Sequence, residues 1–102
     1  MTARPFVVFS ELSAPDGGAE ALEQAFQGRL GAVDAHPGFI DLQVWRDTRA
    51  AGRFVMVSWW QSRADYLAYM RSADHRRSHD RIPTGALAPR AVAARKYELI
   101  AR

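Results

Sequence analysis

The stretch Phe54-Val55-Met56-Val57-Ser58-Trp59-Trp60 constrains this chain more than any other. It is rich in β-branched and aromatic residues and is apolar on both of its faces, which predicts a central strand covered on two sides. Both ends are marked. The polar run Asp47-Thr48-Arg49-Ala50-Ala51-Gly52 before it reads as a hairpin loop, and Ser62-Arg63-Ala64-Asp65 after it has the form of a capping box that opens a helix.

Working outward from that strand, the remaining elements fall into place. Phe6-Val7-Val8-Phe9-Ser10-Glu11-Leu12 predicts a strand with Phe6, Val8, Ser10 and Leu12 on one face and Val7, Phe9 and Glu11 on the other. It stops at Ala14-Pro15-Asp16-Gly17-Gly18. Ala19 to Ala35 predicts a helix, because Leu22, Phe26, Leu30 and Val33 recur at helical spacing and Glu20 and Glu23 sit in its first turn. His36-Pro37-Gly38 ends it. Phe39 to Trp45 alternates, with Ile40, Leu42 and Val44 on one side. The helix opened by Ser62 carries Tyr66, Tyr69, Met70 and Ala73 on one stripe. Ser72 caps a second piece, Ala73 to Asp80, and Ile82-Pro83-Thr84-Gly85 breaks it before a last strand, Ala91 to Leu99.

The order β-α-β-β-α-β with short connections predicts an α+β, ferredoxin-like plait: a four-stranded antiparallel sheet with its helices on one face. Trp45, Phe54, Met56 and Trp60 are too large to leave wet on the second face, so a homodimer, sheet against sheet, is expected.

At 102 residues the chain has room for one domain, expected to span 1–102. It has no cysteine, which excludes a disulfide framework, a thiolate nucleophile and Cys-ligated metal. No secretory signal and no long apolar run is evident, so a cytoplasmic protein without a membrane partner is expected. Net charge is +3, but residues 1–70 carry six Arg against eight acids, whereas 71–102 carry eight Arg or Lys against three. The basic third suits an anionic ligand. No strand interleaves aromatic with basic residues, so no nucleic-acid partner is expected.

His75 and His79 stand one helical turn apart and project from one side of a helix. That spacing suits two ligands of one metal, but His36 lies on a separate turn and no third ligand is evident. One imidazole beside an apolar slot is enough for a planar cofactor such as haem. The serines form no G-x-S-x-G elbow, and Gly17-Gly18 lacks the rest of a nucleotide fingerprint. Phe9, Ser10, Glu11, Trp60, Tyr66, Tyr69 and Met70 are candidates to line a slot between sheet and second helix, suited to a flat hydrophobic ligand.

The run His36-Pro37-Gly38-Phe39, followed by strand, hairpin and Arg53 to Tyr66, resembles the antibiotic-biosynthesis monooxygenase superfamily, whose pattern is a Pro-Gly-Phe turn, a strand ending in Trp, a capping Ser and an aromatic on the next helix. Tyr69, Ser72 and His79 resemble its Isd-type haem-degrading branch. The resemblance implies a plait paired into a dimeric α+β barrel. That branch uses an Asn on the first strand, a Trp on the second helix and a His at that helix's end. The His falls on His79, implying the haem-iron ligand; the Trp falls on Tyr69 and the Asn on Ser10, two departures. With haem bound, Ser10 would contact dioxygen, Tyr69 and Trp60 would wall the macrocycle, and Arg76 and Arg77, near His79 in the chain, would pair with its propionates. Other members of the superfamily oxidise polycyclic aromatics without a cofactor, for which Tyr66, Tyr69, Ser10, Glu11, Trp60 and His79 would serve. A non-catalytic dimer that binds a hydrophobic ligand is the third alternative.

Overall fold

The computed structural model describes residues 4–28, 32–80 and 82–102. Strand β1 (Phe6–Ser13) leads to helix α1 (Ala19–Gln27), a 3-10 turn (Ala32–Ala35) and the hairpin of β2 (Phe39–Arg46) and β3 (Arg53–Trp60). Helices α2 (Arg63–Met70) and α3 (Ala73–His79), a 3-10 turn (Gly85–Leu87) and β4 (Arg90–Glu98) complete the order. All pairings are antiparallel, in the order β2-β3-β1-β4. This is the ferredoxin-like α+β plait expected, with β3 in the interior of the sheet. Among the described residues no helix is long and apolar enough to cross a membrane.

Strand register decides which side chains meet the helices. Trp60 pairs with Phe6, Ser58 with Val8, Met56 with Ser10 and Phe54 with Leu12. Trp60 packs on Tyr66 and Tyr69 of α2, and Phe54 on Phe26 of α1, so this whole face lies under the helices. Phe54, Met56 and Trp60 therefore do not belong to a leftover face. Only Trp45 of the expected four stands on the far side, because β2 pairs Trp45 with Val55. There Phe9 packs edge-on against Trp45 at 6.0 Å and Tyr97 at 5.4 Å. A strand with large apolar residues on both alternations carries little signal of which one faces the helices.

Two further boundaries differ from expectation. A register shift between Phe39 and Asp41 puts Phe39 with Leu42 and Val44 under the helices and leaves Ile40 exposed. Helix α1 ends at Gln27, where the Gly28 N–H reaches the Gln24 carbonyl, and Val33 reaches the core from the 3-10 turn instead. Leu30 of the expected stripe lies outside the described residues.

Local signals explain the junction of sheet and helices. Ser62 Oγ accepts from the Asp65 N–H at 3.1 Å and donates to Asp65 Oδ2 at 2.9 Å, capping α2. Gly38 has φ +81°, and its carbonyl accepts from the Gln61 N–H at 2.8 Å. A Cβ at Gly38 would be driven into the Asp65 carboxyl group. Gly38→Ala is therefore expected to destabilise the protein by about 2–3 kcal/mol in urea melts. Gly28→Ala, at φ −93° with its Cβ 3.4 Å from the Gln24 oxygen, is expected to stay within about 0.5 kcal/mol of the parent. Equal effects at the two glycines would contradict this account of the junction.

Candidate functional site

A cavity of about 730 Å³ lies between the sheet and the helices. Its floor is the helix-side face of the strands, with Val8, Ser10, Leu42, Met56, Ser58 and Trp60. Tyr66, Tyr69 and Met70 of α2 form one wall; His75, Ser78 and His79 of α3 and the segment Ile82, Pro83 and Thr84 form the rim.

Trp60 anchors the floor. It is 2% exposed, and its ring lies 5.3 to 5.8 Å from those of Tyr69, Phe39 and Tyr66. Its Nε1–H donates to Ser58 Oγ at 2.9 Å. Tyr69 is also buried, and its hydroxyl donates to Ser78 Oγ at 3.3 Å. The Tyr66 phenol is half-buried and loss of water raises its pKa, so it stays a neutral donor.

Ser72 sets the position of the histidines. Its hydroxyl donates to the Tyr69 carbonyl at 2.6 Å, at the end of α2, and accepts from the His75 N–H at 3.1 Å, at the start of α3. The two helices are thereby joined through one side chain. The His75 ring then packs against Tyr69 at 5.2 Å and against His79 at 4.4 Å.

The cavity brings together Ser10, Trp60, Tyr69 and His79 of the expected site, together with His75, Tyr66, Met70 and Glu11. Phe9 is not part of it, because it shares the far face with Val7. Arg76 and Arg77 are exposed on α3 outside the lining, and Arg77 pairs with Asp74. His36 is closer than its separate turn suggested, its ring 5.2 Å from Tyr69 and 6.3 Å from Trp60. Among the described residues no group of three or more His, Cys, Asp or Glu could hold a metal ion. Ser58 and Ser78 belong to no catalytic motif in the sequence, yet both line the cavity; two-residue alternation from Trp60 locates the first.

The pattern of the antibiotic biosynthesis monooxygenase family matches residues 5–81. The mycobilin-producing heme oxygenase of Mycobacterium tuberculosis is 31% identical over 65 residues, 64% of this chain and 62% of that protein. The matched part thus spans less than two thirds of that relative's length. Among solved structures, the heme-degrader MhuD of Mycobacterium tuberculosis, with two hemes bound in its active site, has a TM-score of 0.76 at 24% identity, covering 95% of this chain and 97% of its own. A putative antibiotic biosynthesis monooxygenase of Bordetella bronchiseptica has a TM-score of 0.76 at 11% identity, covering 96% and 99%. These two likenesses establish the fold.

The packing of His75 has a consequence in solution. Burial, and then the neighbouring His79, hold its imidazole below the ordinary value of 6.5, partly offset by a hydrogen bond to the Met70 backbone. The unfolded chain thus takes up this proton at higher pH than the folded protein does. Stability from this group is intact above 6.5 and declines as the pH falls below it. His75→Gln is expected to flatten that decline in urea melts between about pH 7 and 5; an unchanged profile would rule out a desolvated imidazole here.

Proposed function

The chain belongs to the antibiotic biosynthesis monooxygenase family, and from that premise we propose that it is a haem-oxidising monooxygenase whose cavity takes haem through His79. The observation that carries this reading is the cavity itself: about 730 Å³, largely apolar, with imidazoles on one rim and a serine hydroxyl on the floor. Its volume falls in the range of sites for sizeable ligands. The donor set fits the group, since an uncharged imidazole is a haem-iron ligand and a flat apolar slot suits a macrocycle. The relative that degrades haem supports the same substrate.

Haem, when bound, supplies both the centre that activates dioxygen and the bond that is oxidised, with electrons from an external donor. The protein's own groups do the rest. His79 offers an imidazole nitrogen at the rim, and the His75 ring, wedged between His79 and Tyr69, limits its rotation. Trp60 and Tyr69 wall the slot and exclude water. Ser10 donates one hydrogen bond from the floor, where an Asn would offer two. Arg76 stands at the solvent edge, where a carboxylate of the ligand would meet it, while Arg77 is engaged by Asp74.

Hemin titration tests this reading. A shifted Soret band is expected, with His79→Ala weakening binding by more than the roughly tenfold that loss of a supporting contact brings. No shift, or a shift that ignores His79, would sink it. A second reading draws on Tyr66, whose desolvated neutral phenol suits a phenolic substrate. In that case a polycyclic aromatic of the anthrone type would consume oxygen with metal-free protein that has no affinity for hemin. Binding of either ligand class without turnover would make the protein a carrier.

We further propose that one domain, 1–102, works as a homodimer joined through the far sheet face. There Val57 is fully buried, while Trp45 and Tyr97 remain 44% and 48% exposed. Such an apolar face is suited to a second copy. Sedimentation is expected to give a dimer, and Trp45→Asp/Tyr97→Asp a folded monomer; a monomeric parent would overturn the pairing.

A further inference from the structure

Ser58 is a polar residue at the centre of an apolar floor. Its strand neighbours across the sheet are Val8 and Leu42, and Met56 and Trp60 flank it on its own face. Its oxygen is occupied on one side by the Trp60 Nε1–H at 2.9 Å. No other hydrogen bond among the described residues engages this hydroxyl, so its proton remains available on the side that lines the cavity. Accepting from an indole N–H also polarises the hydroxyl and makes it a better donor. Ser10 lines the same cavity from β1, two residues beyond Val8, which pairs with Ser58. The two serines are therefore diagonal neighbours on one face, roughly 7–8 Å apart between backbones.

We propose that Ser58, held by Trp60, is a second hydrogen-bond donor of the site, and that Ser58 and Ser10 together hold one oxygen or small anion of whatever occupies the cavity above the sheet. Two hydroxyls on neighbouring strands restore the paired donors that a single serine at Ser10 lacks. A serine needed only to satisfy the indole would leave its own proton without a task. The inference rests on the haem reading, because the bound molecule is what brings an anion to this position.

Azide binding to the hemin-loaded ferric protein tests it, with hemin affinity measured first. The parent protein is expected to bind both. Ser58→Ala is expected to weaken azide roughly tenfold, well beyond any change in hemin affinity, because a hydrogen bond to a charged group is lost. Ser58→Thr should restore azide binding, whereas Ser58→Val, of the same shape without the hydroxyl, should not. If Ser58→Ala fails to fold because the indole is stranded, Ser58→Cys, whose sulfur still accepts from the indole while its thiol donates only weakly, should show the same weak azide binding with hemin in place. Hemin-loaded Ser58 variants with the parent's azide affinity would overturn the role of Ser58 and leave the haem reading standing. A parent protein that takes up no hemin would overturn both.

Discussion

Trp60 closes β3 with its indole out of water and its one polar atom satisfied inside its own strand, by Ser58. Tyr66 and Tyr69 of α2, Phe39 at the start of β2 and His36 before it all pack on that ring. Removing a buried side chain of this size costs about 3–5 kcal/mol in a typical core. The larger consequence here is geometric. The indole sets how far α2 stands from the sheet, and through Ser72 it sets where α3 presents His75 and His79. The cavity is the space left beside that contact.

Much of this architecture is legible in short-range chemistry. The serines at 62 and 72 mark two helix starts because a hydroxyl is needed where backbone N–H groups have no helical partner. Pro37-Gly38 marks a turn because the backbone there needs a positive φ beside Asp65. The faces of the sheet were less legible. In β3 every position but Ser58 and the first is apolar, so alternation cannot tell the helix side from the far side. In β2 an irregularity between Phe39 and Asp41 shifts the alternation, which placed Ile40 wrongly. Both need the partner strand to be known.

The same distinction applies to the site. His79, Tyr69, Trp60 and Ser10 were legible as candidates, and the fold gathers them on one cavity. The nearness of His36 to Tyr69 is a long-range contact that no spacing in the chain encodes. Arg76 and Arg77 share the helix with the histidines but lie outside the lining, so the basic character of the last third would meet a ligand at its edge rather than inside the slot. The departures at Ser10 and Tyr69 keep the chemical types, a donor and an aromatic, in smaller side chains. Ser58 and Ser78 sit beside them and accept hydrogen bonds from Trp60 and Tyr69, which fixes both rings.

Haem bound in this cavity would be the substrate that the protein oxidises. Hemin-loaded protein under dioxygen, given ascorbate as electron donor and catalase to remove free peroxide, tests it in a single turnover. The Soret band is expected to bleach, and mass spectrometry to find an oxidised, ring-opened tetrapyrrole. Hemin recovered intact from protein that bound it fully would rule haem oxidation out.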